Sequence, residues 1–186
     1  MPVLGVLRFG PNSHLWHAWE VADRDELPDF KIPHADKIEW MIETHGWALE
    51  PVGPDYISDP PRPAYTYSIG LPQAFGFPEI AVFGLTPVAI RGLLDLIVDQ
   101  LRSGLEIPIG VPLVGLLDNE LRCVFAEVDM EAFGHLFQTA VKWHRGNTFR
   151  LVQLTWPDRS GWLPYELGFD QSLLLAQPMI GVVNQT

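Results

Sequence analysis

Residues 64–71 alternate in side-chain size. Tyr65, Tyr67, Ile69 and Leu71 are large and apolar; Ala64, Thr66, Ser68 and Gly70 are small. Successive side chains of a strand point to opposite faces, so this pattern predicts a strand with one greasy and one narrow side. The narrow side leaves room for a close neighbour, be it a helix, a sheet or a ligand. Residues 79–85 are apolar at both parities: Ile80, Val82 and Gly84 share one face, and Ala81, Phe83 and Leu85 the other. That is the pattern of a strand covered on both sides. A loop over 72–78 joins the two, so the stretch reads as a hairpin. Glu79 opens the second strand just after Pro78, where its carboxylate is expected to reach solvent or a cleft.

The longest helical pattern follows. Thr86 suits a cap and Pro87 the first helical position. Ile90, Leu93, Leu94, Ile97, Val98 and Leu101 recur on one stripe, with Arg91, Asp95 and Asp99 away from it, and Gly104 marks the end. A shorter helix is predicted over 36–45, capped by Asp36 with Glu39 three residues on. Ile38, Met41, Ile42 and His45 form its stripe and Gly46 its stop. A strand over 47–52 comes next, then a stiff loop over 51–63 carrying Pro51, Pro54, Pro60, Pro61 and Pro63. It is either a crossing segment or a semi-rigid lid bearing Tyr56. Residues 111–117 and 121–128 read as a hairpin around Asp118 and Asn119, with Cys123 in the core. Asp129 caps a helix running through Met130, Phe133, Leu136, Phe137, Ala140 and Val141 to Gly146. A strand over 149–156 places Phe149, Leu151, Gln153 and Thr155 on one face, and an irregular apolar tail over 163–186 is laid on the sheet.

Together these elements predict one α+β domain over residues 34–186. It has a largely antiparallel sheet of about six strands, mixed pairing left open, with two or three helices packed on it. Residues 1–33 read as an N-terminal extension and linker.

Charge narrows the partners. Lys and Arg number 12 against 23 Asp and Glu, a formal net charge of −11. Phosphate is repelled at long range, which argues against nucleic acid and anionic membranes and leaves a basic protein partner open. No apolar run approaches the ~20 residues of a membrane helix. The start has no signal-peptide character, and the single cysteine fits a reducing compartment. A cytoplasmic protein is expected. His14 and His17 have metal-pair spacing without further ligands, so no metal site is assigned.

Candidate chemistry sits at strand ends. Gln153 among apolar neighbours needs hydrogen-bond partners, from backbone or a ligand. Residues 156–162 turn the chain, and Asp158 suits that turn. Tyr65-Thr66-x-x-Ile69-Gly70-Leu71, Phe77-Pro78-Glu79 and Phe83-Gly84-Leu85 form one motif set. Gln153-Leu154-x-Trp156-Pro157-Asp158-x-x-Gly161 and Gln177-Pro178 form a second, and His45-Gly46-Trp47 fits before both. This combination resembles a bacterial family, domain of unknown function 4262, over about residues 36–181. The resemblance implies a family and no activity, and it carries over no catalytic residue or cofactor.

The leading expectation is a small-molecule-binding protein or enzyme whose ligand-binding residues are Tyr65, Thr66, Glu79, Gln153, Trp156 and Asp158. In it Glu79 or Asp158 acts as base, Tyr65 and Thr66 donate hydrogen bonds, and Trp156 is a stacking wall closing a pocket shared by Thr66 and Gln153. The alternative is an acidic protein-interaction module without catalysis. The charge generates a direct prediction: a gel-shift assay at low salt should show no tight, salt-sensitive binding of duplex DNA or RNA.

Overall fold

The computed structural model describes residues 32–117 and 120–183. Its elements run α1 (His34–His45), β1 (Ala48–Val52), β2 (Tyr65–Ile69), α2 (Leu71–Phe75), β3 (Glu79–Phe83), α3 (Pro87–Arg102), β4 (Val124–Val128), α4 (Met130–Phe133), α5 (Gln138–Trp143), β5 (Leu151–Thr155) and β6 (Gly181–Val182). The strands form one six-stranded sheet in the order β1-β2-β3-β5-β4-β6. β2 and β3 pair antiparallel, with Tyr65 opposite Phe83 and Tyr67 opposite Ala81, as the alternating pattern predicts. β1–β2, β4–β5 and β4–β6 are antiparallel as well, whereas β3–β5 is parallel. The sheet is therefore mixed and mostly antiparallel, in an α+β domain.

Each face of the sheet carries its own core. α3 lays Ile90, Leu93, Leu94, Ile97 and Val98 against Ile80, Val82, Val152, Leu154 and Phe125. Its start is as read from sequence, because Thr86 Oγ1 accepts a hydrogen bond from Ala89 N. On the opposite face Tyr65, Tyr67, Ile69, Ala81, Phe83 and Leu151 pack with Ile38 of α1, Met130 of α4 and Phe137 and Ala140. β2, β3 and β5 are buried along their whole length, as strands covered on both sides must be. Cys123 is a buried core residue whose thiol burial pushes up to about 11, so it is inert.

Several local expectations are corrected. The 72–78 connection is not a plain loop, because α2 occupies most of it. Gly70, at φ +107, turns the chain out of β2 where an L side chain is strained. Leu71 thereby leaves the Tyr65 face and joins the α3 core. α1 begins at His34, so Asp36 lies in its first turn and interacts with the helix dipole without capping it.

The helix expected over 130–146 is broken into α4, a 3-10 turn (Gly134–Leu136) and α5. A side chain at Gly134 would lie 2.9 Å from Asn147 Nδ2. At Phe137 the backbone leaves helical values, at φ −115 and ψ 43, and its ring packs edge-on against Tyr65 and Tyr67. Packing against the aromatic face overrides helical continuity there. With this break and α2, the described residues contain five α-helices.

Residues 111–117 form no full strand and touch their partner through one bridge, Leu113 to Cys123; the expected turn at Asp118 and Asn119 lies outside the described residues. The tail is more ordered than expected, with a 3-10 turn (Gln171–Leu175) and the short edge strand β6. Residues 1–31 of the expected N-terminal extension, with the His14 and His17 pair, lie outside the described residues. Among the described residues no helix is long and apolar enough to cross a membrane.

Leu94 is fully buried at the centre of the α3 core. Leu94→Ala should lower stability by about 2–5 kcal/mol, because the cavity it leaves cannot fully collapse. A shifted urea midpoint with an unchanged slope is the expected result.

Candidate functional site

The strand register decides which expected site residues meet. Thr66 lies opposite Val82, and Val82 opposite Leu154, so Thr66 is on the α3 side of the sheet. Gln153 lies opposite Ala81 and shares the other face with Tyr67. Directly paired residues share a face and their sequence neighbours take the opposite one. Thr66 and Gln153 therefore open to opposite sides, and the pocket expected to join them does not form. Thr66 instead borders a depression of about 350 Å³ with Pro51, Pro87 and Arg91. Glu79 starts β3, whereas Tyr65 and Trp156 lie where β3 ends, roughly 13 Å away at 3.3 Å per residue.

Glu79 also departs from expectation in exposure: it is fully buried, and both carboxylate oxygens are occupied. Oε1 accepts from Gly70 N at 2.6 Å and contacts His144 Nε2 at 2.9 Å. Oε2 accepts from Ser68 Oγ at 2.6 Å and Leu71 N at 3.4 Å. Nothing is left to take a proton from a substrate, so this carboxylate holds elements together. Sequence reading missed His144 as its partner. The break at Phe137 re-aims α5, and no helical spacing counts out that contact.

Asp158 is likewise occupied. Oδ1 accepts from Ser160 N and Trp162 N, and Oδ2 from Asp170 N. Its role as turn-former is the reading the geometry supports.

Tyr65, Gln153 and Trp156, in contrast, converge on one concavity. The buried Tyr65 hydroxyl donates to Leu136 O at 2.6 Å. Gln153 Nε2 donates to Pro178 O at 2.7 Å, and its Oε1 accepts from Ile180 N and Gly181 N, both at 2.9 Å. The Trp156 indole N–H donates to Phe83 O at 2.9 Å. Leu136, Pro178, Ile180 and Phe83 all line a cleft of about 290 Å³. The other walls are Phe133 and His135, and residues 58–63 of the proline-rich loop. Trp156 does not itself stack in the cleft; it supports the wall from behind.

The loop wall is pinned where Asp55 and Arg62 exchange two backbone hydrogen bonds. Arg62 sits over the Tyr65 ring at 5.9 Å, and that ring is stacked on Phe83 at 4.8 Å. Burial pushes the Tyr65 hydroxyl up to about 12, against the pull of Arg62, so it stays a neutral donor. Across the cleft, His135 Nδ1 lies 3.0 Å from Ala132 O.

A larger cleft of about 410 Å³ lies between α1 and α5, bordered by His34, Ile38, Thr139, Lys142 and Trp143. The carboxylate behind it, Glu50, is held by its own neighbours. Oε1 accepts from Thr139 Oγ1 at 3.1 Å, and His34 Nε2 lies 3.0 and 2.9 Å from the two oxygens. Oε2 makes no well-aligned hydrogen bond, but the His34 contact accounts for it. Among the described residues no group of three His, Cys, Asp or Glu side chains is placed to hold a metal ion.

A family model described as Domain of unknown function (DUF4262) matches residues 41–170. No curated protein and no solved structure gives a significant match.

The Asp158 turn supplies a pH-dependent prediction. Burial raises its carboxyl pKa, but backbone N–H groups at Trp162, Asp170, Ser160 and Gly161 outweigh that and hold it below the usual value. A depressed folded-state pKa contributes stability above the unfolded value, about 3.9 for Asp, which is lost as pH falls through the folded one. Asp158→Asn should therefore melt below the native chain at pH 7, and the gap should narrow below about pH 4. Thermal melts from neutral to acid pH check this; a gap independent of pH contradicts it.

Proposed function

This chain belongs to the family described as Domain of unknown function (DUF4262), which brings no activity with it, and from its own geometry we propose a small-molecule-binding protein of the cytoplasm. The ligand sits in the cleft between the proline-rich loop, the α4 region and the C-terminal tail. One observation carries this reading: three polar side chains from β2 and from β5 and its end spend their hydrogen bonds on the walls of one concavity. Ligand sites are concave, mostly apolar and largely preformed, with few polar groups placed precisely. Side chains whose rotamers are locked behind a wall are how such a site is kept in shape. Tyr65, Gln153 and Trp156 thus belong to the proposed site as its supports.

Binding is favoured over catalysis. The carboxylates expected to act as base, Glu79 and Asp158, are saturated by hydrogen bonds and do not line the cleft. Tyr56 and Ile57 at the loop tip are 79% and 97% exposed, which favours a protein partner as the second reading.

A fragment screen by ligand-observed NMR, run on the native chain and on Ile180→Trp, tests the proposal. Ile180 lines the cleft, is half-buried, and engages Gln153 only through its backbone N–H. The larger ring should fill the cleft without loosening the tail. Native hits should be lost in Ile180→Trp with the melting temperature nearly unchanged. Hits that persist in the variant, or no hits at millimolar concentration, overturn the reading.

A further inference from the structure

Resting on the cleft just described, we infer that its ligand is a small apolar carboxylate whose anionic head is read by Arg62. The starting observation is a donor with nothing to donate to. Arg62 Nε is shut off from water and has no hydrogen-bond partner among the described residues. Buried polar groups without partners are uncommon, and each one needs an explanation.

The nearest carboxylate does not satisfy it. Asp55 Oδ2 forms an ion pair with Nη2 at 3.6 Å, beyond hydrogen-bond length. Asp55 Oδ1 is meanwhile spent on Ile57 N at 3.0 Å and Ser58 N at 3.2 Å. The Arg62 side chain is 31% exposed and lines the cleft, so the guanidinium is reachable from it. Nε itself is sealed, so an acceptor that arrives with a ligand meets the exposed part of this side chain.

The class of anion follows from what surrounds Arg62. A planar guanidinium presents paired N–H groups that match a carboxylate in two parallel bonds. Phe83, Phe133, Leu136, Ile180 and the loop prolines leave most of the cleft apolar, with Ser58 and His135 as further polar walls, which suits a hydrocarbon or aromatic body. A volume of about 290 Å³ admits a molecule of one ring with a short arm. Asp59 on the same rim and the chain's net charge of −11 both oppose anions. A phosphate or other multiply charged head meets that repulsion in full, whereas a single carboxylate meets the least of it. Arg62 acts as a local reader of one charge, in a field that rejects heavily charged molecules.

Phenylacetate and its neutral isostere phenylacetamide separate charge from shape. Both are titrated into the full chain, into Arg62→Gln, Arg62→Lys and Ile180→Trp, and followed by NMR. Phenylacetate should bind the native chain about tenfold or more tighter than the amide, the difference of a charge-assisted pair. It should also move the Arg62 Nε–H resonance, assigned by its loss in Arg62→Lys. Arg62→Gln should remove the preference for the acid and leave the amide unchanged, and Arg62→Lys should retain part of it. The Asp55–Arg62 bridge is made by backbone, so both variants keep the loop anchor.

Equal binding of acid and amide, with no effect of Arg62→Gln, overturns the carboxylate reading. If both are then lost in Ile180→Trp, the cleft stands and only the ligand class falls. Absence of binding by either compound also overturns the carboxylate reading, and the fragment screen judges the cleft independently.

Discussion

A buried carboxylate is tolerated only where donors surround it, and Glu79 imposes that requirement on the whole domain. Its four contacts come from Ser68 in β2, from the backbone at Gly70 and Leu71 where α2 begins, and from His144 just past α5. Its own backbone N–H donates to Arg150 O, beside the first residue of β5. One side chain therefore states where β2 must stop, how the chain turns and where α5 must end. Ser68 adds a second tie, because its hydroxyl also accepts from Ile80 N. The Gly70 conformation follows: its N–H has to face the carboxylate, and a Cβ there would meet Gly46 O at 3.1 Å. His144 is clamped in turn, stacked on Phe149 at 4.2 Å and contacted by Gln73 at 3.2 Å.

The other end of the sheet is built on amides. Gln177 brackets Trp156, accepting from its N–H at 2.8 Å and donating to its carbonyl at 3.0 Å. Gln153 does the same for residues 178–181. A primary amide carries one acceptor and two donors, so it substitutes for a stretch of backbone where no strand is available. That is how an irregular tail is held against a sheet without regular pairing. β6 gains only a short ladder with β4, and Gly181 is required there because a Cβ would lie 2.6 Å from that of Ala126.

The sequence made legible what depends on periodicity. The two faces of β2, the doubly covered β3, the Thr86 cap and the α3 stripe all follow from spacing, and the structure places each as read. The break at Phe137 was not legible, because the pattern from Met130 to Val141 is that of an unbroken helix. The ring's gain from packing against Tyr65 and Tyr67 is a tertiary effect that outweighs a local propensity. Polar residues in apolar strands were recognisable as significant, but their direction was not. Thr66 and Gln153 look alike in sequence, yet pairing parity sends them to opposite faces. His144 and Arg62 were missed for the same reason: each matters through a contact that only the folded chain creates.

Glu79 and Arg62 together show how buried polar groups separate architecture from recognition. Both are ionisable, and both belong to segments that border β2. Glu79 is saturated from within the chain, so its bonding is closed and its task is to hold elements in place. Arg62 has its nearest carboxylate at 3.6 Å and a shielded Nε with no partner among the described residues, so its bonding is open. A composition or a hydropathy profile assigns the two equal weight. Only the count of satisfied donors and acceptors distinguishes a side chain that completes the fold from one whose bonding the described residues leave open. By that criterion the end of the sheet where β3 begins is architecture, and the cleft where it ends is the place to look for a ligand.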